Sequence, residues 1–288
     1  METNILAFVG DTHIAPGESG ADRAQSDSDR PARRRDHLLK ALSQIKQAAP
    51  AAVFFGGDNT NQPLIRPGYA EALLSLLSIL RNDRSDFGHT PVKFIPGNHD
   101  VGSTVGWHHH DPAGMKQSVH EFRRSFGPDY WVHESAGFKI IGINSQVLGS
   151  SLAEAEEQAA WLSAVLKKPS ESPRAVFLHT PPYLKGWDDD FSDGSEQMCL
   201  KPEARHQLKQ VLLKNPPELL ISAHVHRYWL RKEPLWWWLG VPATALPLSE
   251  MAAVPDHNVP RGEDSLGWVS LRRTGKSWKA ELRRIKPG

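Results

Sequence analysis

Five short stretches of this 288-residue sequence carry residue types that can hold a metal ion, and each directly follows a run of apolar residues. They are Gly10-Asp11-Thr12-His13, Gly57-Asp58-Asn59, Gly97-Asn98-His99-Asp100, His179-Thr180 and His224-Val225-His226. Asp11, His13, Asp58, Asn98, His179, His224 and His226 together offer carboxylate, amide oxygen and imidazole. That mixture suits Mn, Fe, Zn or Co better than Ca. Taken singly, each piece is ordinary: an Asp after a strand caps a helix or forms a turn, and Asn-His after Pro-Gly is a common turn. Five strand ends that all finish in ligand-type residues are a different matter, because ligands of α/β sheets bind outside the carboxyl ends of the strands.

The elements that must position these residues can be read from the apolar pattern. Buried strands are expected over 5–9, 52–55, 92–95, 175–178 and 219–222, each ended by polar residues or glycine. Helices are expected over 33–48, 68–80, 115–126, 152–166 and 202–213. Residues 14–32 read as a loop, and 130–132 with 138–143 read as paired strands around Ala136-Gly137. The last third is mostly β, over 228–231, 235–239, 268–272 and 278–282. Alternating strands and helices followed by a β-rich tail predict an α/β layered fold. With no internal repeat and no long linker, residues 1–288 read as a single domain.

Composition narrows the chemistry. One cysteine, Cys199, forms no internal disulfide and excludes an all-thiolate metal site within the chain. A net charge of +1, from 34 Lys and Arg against 33 Asp and Glu, argues against binding nucleic acid through a broad basic surface. The 14 histidines stand out, since neutral imidazole is the commonest protein metal ligand. No stretch approaches the ~20 apolar residues that span a bilayer, and the start lacks a signal-peptide pattern, so the expectation is a cytoplasmic protein without membrane contact.

Gly-Asp-x-His, Gly-Asp-x, Gly-Asn-His-Asp, a lone His after a strand and a near Gly-His-x-His resemble the signature of the calcineurin-like metallophosphoesterases, running from Gly10 to His226. A narrower likeness, carried by residues 96–102, Asn144-Ser145-Gln146 and the acidic Asp188-Asp189-Asp190, is to the calcineurin-like phosphoesterase domain-containing phosphatases and their bacterial relatives. The resemblance implies two mixed β-sheets packed as a sandwich flanked by helices. It implies two divalent ions, the first held by Asp11, His13, Asp58 and His226, the second by Asp58, Asn98, His179 and His224, with Asp58 bridging. It further implies a phosphoric-ester hydrolase in which metal-activated hydroxide attacks phosphorus. His99 would then be catalytic rather than a ligand, stabilising charge and protonating the leaving group. A phosphomonoesterase acting on a phosphorylated small molecule or phosphoprotein is favoured. A phosphodiesterase acting on a cyclic nucleotide, a nucleic acid or a lipid head group is the alternative, so nucleic acid enters only as substrate. A non-catalytic scaffold of the same fold is the third reading.

Two departures from the family pattern stand out. Ala223 replaces the usual Gly before His-x-His, with little harm expected. Asn61 stands near the place where the Ser/Thr protein phosphatases of the superfamily have an Asp, which argues against a site of that type and leaves Asn61 or Asp100 to orient His99. Asn59, Asn61, Asp100, His109 and Tyr183 are candidate substrate or supporting residues. Trp107-His108-His109-His110 reads slightly better as a solvated loop than as a contact segment. Arg30, Arg33, Arg34 and Arg35 oppose the macrodipole at a helix start and read as a solvated segment. Trp229 and Trp236-Trp237-Trp238 read as core, with Trp236 and Trp238 on one face and Trp237 on the other. The acidic residues near 188–196 are expected to face water.

Overall fold

The computed structural model describes residues 4–15, 31–61, 68–84, 87, 89–103, 112–189, 195–250 and 259–286. Its strands are β1 (Ile5–Val9), β2 (Ala52–Phe55), β3 (Val92–Phe94), β4 (Trp131–Ser135), β5 (Phe138–Gly142), β6 (Arg174–Leu178), β7 (Leu219–Ser222), β8 (Trp229–Lys232), β9 (Trp237–Gly240), β10 (Gly267–Thr274) and β11 (Ser277–Arg284). The helices are α1 (Pro31–Ala48), α2 (Tyr69–Arg84), α3 (Asn98–Val101), α4 (Pro112–Phe126), α5 (Ala153–Lys167) and α6 (Pro202–Lys214). One sheet runs β11-β10-β1-β2-β3 and the other β4-β5-β6-β7-β9-β8. Strands β1, β2 and β3 are parallel, as are β5, β6, β7 and β9. The pairings of β10 with β1, β11 with β10, β4 with β5 and β8 with β9 are antiparallel.

Alternation along the strands builds three cores. Leu6 and Phe8 of β1 and Ala52 and Phe54 of β2 point between the sheets, where they meet Phe138, Ile140, Phe177 and Ile221. Their neighbours Ala7, Val9, Val53 and Phe55 point the other way, onto Leu38, Leu42 and Ile45 of α1, Leu76 of α2 and Phe122 of α4. Val176 and Leu220 of the second sheet likewise meet Leu162 of α5 and Leu208 of α6. Central strands covered on both faces have no solvent side, so they read as unbroken apolar runs. Each large side chain so buried contributes about 1.5–3 kcal/mol. The result is two sheets face to face with a helical layer outside each, in line with the expected sandwich.

Differences from expectation sit at the margins. Residues 98–101 form a single helical turn where only a turn was expected. The β10–β11 hairpin extends past the expected bounds, through Arg273↔Trp278 and Thr274↔Ser277 at its turn and Gly267↔Arg284 at its open end. Backbone pairing continues at the turn although Thr274 and Ser277 are exposed. Trp238 and Trp236 are buried and Trp237 is 36% exposed, as alternation predicts, although Trp236 precedes its strand. Among the described residues no helix is long and apolar enough to cross a membrane.

Candidate metal centre

The candidate ligands lie where the chain leaves β1, β2, β3, β6 and β7 at their carboxyl ends, and the backbone turns left-handed after β1, β2 and β7. Asp11, His13, Asp58, His224 and His226 adopt φ of 47°, 42°, 49°, 69° and 55°. Among the described residues only Ala49 and Ala136 join them as non-glycine residues with positive φ. Asp and His tolerate this left-handed region better than most, yet each such residue costs of order 1–3 kcal/mol and needs support. Main-chain bonds supply it. The Asp11 amide donates to the Gly57 carbonyl (3.2 Å) and the His13 amide to the Asp58 carbonyl (2.9 Å). The Ala245 amide donates to the Asp11 carbonyl (3.1 Å) and the Ala223 amide to the His179 carbonyl (3.0 Å).

The turns bring the side chains into two adjoining groups, and a third set, His13, Asp58 and His99, lies across them. Asp11, His13 and His226 form one, with Asp11 Oδ1 3.4 Å from His226 Nε2 and His13 Nε2 3.2 Å from His226 Nε2. Asp58, His179 and His224 form the other, with Asp58 Oδ2 3.3 Å from His179 Nε2 and His179 Nε2 3.1 Å from His224 Nδ1. Asp58 Oδ2 is also 3.6 Å from His13 Nε2, so this carboxylate stands between the groups. Asn98 Oδ1 joins the second at 3.1 Å from His179 Nε2.

Hydrogen-bond accounting shows what this arrangement requires. His179 Nδ1 donates to the Gly56 carbonyl at 2.7 Å, His226 Nδ1 to the Leu246 carbonyl at 2.8 Å, and His224 Nε2 to the Gln197 carbonyl at 2.8 Å. A carbonyl only accepts, so those nitrogens carry protons and, in the neutral rings, the inner nitrogens are acceptors. His179 Nε2 lies among the acceptors Asp58 Oδ2, Asn98 Oδ1 and His224 Nδ1, so positive charge is required there, as a proton on His179 or as an ion in its place. Buried Asp11 Oδ1 receives no hydrogen bond, adding an unsatisfied anionic oxygen to the same space. An outer nitrogen on a carbonyl with the inner one free is the arrangement of metal-ligating histidines, so the residues fit a pair of divalent ions.

The protonation pattern agrees. Burial raises Asp58, but His179, His99 and His13 outweigh it and hold the carboxylate well below its usual range. Burial and then His179 push His224 down to about 4, and burial with His99 lowers His13, so both rings stay neutral. Burial also opposes charge on His179, yet Asp58, Asp11 and the Gly56 carbonyl lift it to about 9. Anionic carboxylates and neutral imidazoles are the ligating forms, so His179 must release a proton to bind an ion whereas His13 and His224 need not.

Two close backbone approaches shape the bridge. A methyl at Gly97 would overlap the Asp58 carboxylate and amide, and one at Gly57 (φ 89°) would lie 2.7 Å from His179 Nδ1. Buried Asp100 ties the two loops together. It accepts the amides of Asn59, Thr60 and Gly97, each at 3.0 Å, and Asn59 Nδ2 at 2.9 Å. Burial and then Asp58 push Asp100 up to about 6 despite these donors. His99 donates its amide to Asp58 Oδ1 at 2.8 Å, and its Nδ1 lies 3.0 Å from the Asn61 carbonyl. The half-exposed ring stands edge-on to His13 with centroids 4.5 Å apart, and Nε2 is 3.8 Å from Asp58 Oδ2.

The family model of the calcineurin-like phosphoesterases matches residues 6–228, a span that contains all of these turns. The chain belongs to the calcineurin-like phosphoesterase family. Serine/threonine-protein phosphatase CPPED1 of Bos taurus is 27% identical over 198 residues, covering 65% of this chain and 58% of that protein. Its Homo sapiens counterpart is 27% identical over 199 residues, with the same coverage. The chain thus spans less than two thirds of the length of the curated relatives it matches. A dimetal phosphatase from Danio rerio shares the fold with a TM-score of 0.64 at 13% identity, covering 99% of this chain and 97% of that one. A purple acid phosphatase from yellow lupin has a TM-score of 0.63 at 17% identity, covering 97% and 51%.

Within this calcineurin-like phosphoesterase the seven residues singled out as ligands lie together, and Asn59, Asn61 and Asp100 lie beside them. Asn61 meets the His99 ring through its main-chain carbonyl, whereas Asp100 anchors backbone. Tyr183 is a correction. It is 3% exposed, packed edge-on against Trp238 with its hydroxyl 3.5 Å from Glu233, and belongs to the core behind the second sheet rather than to a substrate surface. His109, with Trp107, His108 and His110, lies outside the described residues, as do Arg30, Asp190 and Asp193.

Within the arginine cluster Arg35 is exposed as expected, and Arg34 is a second correction. Arg34 is 7% exposed and donates from Nη1 to the His13 carbonyl at 3.2 Å. Two turns of this family member went unread as site parts, because they act through main-chain carbonyls. They are the segment holding Leu246, which accepts from His226, and that holding Gln197, which accepts from His224. Asn144-Ser145-Gln146 braces the neighbour of His179: Gln146 Nε2 donates to Thr180 Oγ1 at 2.8 Å, and the Thr180 amide donates to Ser145 Oγ at 3.1 Å. Asp188 is exposed as expected, 3.2 Å from Lys209.

Proposed function

We propose that the protein hydrolyses phosphoric monoesters at a dinuclear metal centre built across residues 1–288 as one domain. The observation that carries this reading is the pair of adjoining carboxylate and imidazole groups with Asp58 standing between them. Asp11, His13, Asp58 and His226 would hold one ion, and Asp58, Asn98, His179 and His224 the other. Mn, Fe, Zn or Co all match the nitrogen and oxygen donors. When bound, such ions supply Lewis acidity toward the phosphoryl oxygens and a hydrolytic nucleophile at neutral pH.

The chain's own residues supply the rest. Asp58 holds both halves in register, and Asp100 locks its loop to that of Asn98. His99 keeps Nδ1–H on the Asn61 carbonyl, which aims Nε2 at the mouth of the centre. A proton taken up at Nε2 makes the ring an imidazolium, which stabilises charge on the phosphoryl oxygens and passes that proton to the departing alkoxide. Nine other histidines have no assigned part in this scheme.

The protein-phosphatase names of the relatives favour a phosphoprotein among monoester substrates. The Asn61 departure counts less against it, since a backbone carbonyl meets the His99 ring here. A single cysteine agrees with a cytoplasmic setting. Paired assays of a nitrophenyl phosphate and a bis-nitrophenyl phosphate with Mn test the reading. Chelator-sensitive turnover of the monoester is expected. Turnover of the diester alone would move the assignment to a phosphodiesterase, and no chelator-sensitive turnover of either would leave a scaffold.

A further inference from the structure

We propose that two buried arginines, Arg34 and Arg205, act as positioning residues, each serving one half of the metal centre. This rests on the dinuclear reading. The two halves are held from behind by different parts of the chain. Behind Asp11, His13 and His226 stand the first turns of α1 and the segment after β9. Arg34 donates to the His13 carbonyl, and one turn along α1 His37, 2% exposed, places Nδ1 3.3 Å from the Ala245 carbonyl. The Ala245 amide reaches the Asp11 carbonyl, and the adjacent Leu246 carbonyl receives His226 Nδ1. All three ligands are therefore braced by one assembly, clamped by Arg34 and His37.

Behind His224 stands the segment between β6 and α6. Its Gln197 carbonyl fixes His224 Nε2. Arg205 of α6, 3% exposed, gathers that segment by donating to the carbonyls of Leu200 (3.2 Å), Trp187 (3.2 Å) and Asp189 (2.8 Å). Guanidinium suits this task because it presents several donors in a rigid plane, whereas one ammonium on a flexible stem does not. Arg34 bonds the main chain of His13 itself, whereas Arg205 bonds the segment whose Gln197 carbonyl holds His224, so the affinities of the two ions respond to them separately.

The test is titration of the full chain with manganous ion, followed by calorimetry. Asp11→Asn and His224→Ala, each missing a ligand from one half, assign the two binding steps. Arg34→Met is expected to weaken the step lost in Asp11→Asn by about 10- to 100-fold, the usual consequence of removing a partner behind a metal ligand, and to spare the other. Arg205→Met is expected to do the reverse. Circular dichroism without metal establishes that each variant folds. Should Arg205→Met fail to fold, Arg34→Met decides alone. Equal weakening of both steps by an arginine variant, or no change in either, overturns the proposal. A wild-type protein that does not bind two manganous ions overturns the dinuclear reading instead, so the two failures are distinguishable.

Discussion

The space between the sheets and the rim of the same strands follow opposite rules. Between the sheets, Phe8, Phe54, Phe177 and Ile221 are fully buried on regular strands and make only apolar and aromatic contacts. A few residues further along those strands, the backbone turns left-handed under Asp11, His13, Asp58, His224 and His226, and polar groups crowd together. The first region lowers the free energy of folding. The second raises it, through strained backbone and crowded polar groups, and is kept in place by the first. Local strain and unmet polarity concentrated at one rim are the mark of a site shaped for something other than stability.

That contrast implies that substitutions at the rim and between the sheets affect different observables. The largest effect is expected at the bridge. Asp58→Asn removes the carboxylate that would be shared by both ions and should weaken both metal-binding steps and reduce turnover by about three orders of magnitude or more. Metal titration and single-turnover assays check this. A variant that keeps one step at wild-type affinity contradicts the bridging role. The chelated Asp58→Asn protein should unfold at a temperature close to that of chelated wild type.

His99→Ala comes next. Losing a general acid lowers turnover by about 10²- to 10⁴-fold. Because His99 sits in the same crowded space as His13 and Asp58, metal stoichiometry is the decisive readout. Two ions retained with turnover lost supports the assigned role, and one ion lost makes His99 a ligand. Between the sheets, Phe54→Ala should do the opposite. Phe54 stacks on Phe8 at 5.0 Å and on Trp131 at 5.5 Å. Its truncation should cost about 3–5 kcal/mol in a denaturant titration. Turnover per folded molecule should stay near wild type, and a parallel loss of kcat and metal affinity would show that the rim is not independent of this core.

The same contrast explains what could be read from the sequence. Ala52–Phe55 and Leu219–Ser222 were legible to the residue, because strands covered on both faces are apolar throughout and end where the polar cluster begins. The candidate ligands, which the structure brings together, stood out because metal chemistry restricts residue type. Strand order was not legible, since it depends on which apolar runs meet in space. The supports at Gly56, Gln197 and Leu246 were hidden because a main-chain carbonyl has no residue identity. Arg34 was visible as a charge but misplaced, because burial of an arginine depends on the carbonyl that awaits it. Tyr183 was drawn to the site by its closeness to His179, yet its ring follows the apolar side of the turn into the core.

Ala223 lies on the boundary between the two regions and gives the smallest expected effect. The family pattern has glycine here, which would suggest that the loop needs a left-handed or crowded backbone. The backbone is not left-handed there, since Ala223 is absent from the described residues with positive φ, and its side chain is fully buried within the inter-sheet core. The methyl has close neighbours, since a Cβ built at Gly56 would sit 3.2 Å from it and one at Gly10 3.5 Å from it. Ala223→Gly should therefore behave as a core substitution rather than as a repair of the site. Losing the methyl costs about 0.8 kcal/mol of burial, and the added freedom of the unfolded glycine about 0.5–1 kcal/mol more. The variant should be less stable by about 1–2 kcal/mol, with turnover and manganous-ion affinity within twofold of wild type. A glycine variant that instead binds metal more tightly or turns over faster would show that the methyl constrains His224, and would move Ala223 from the core side of the boundary to the site side.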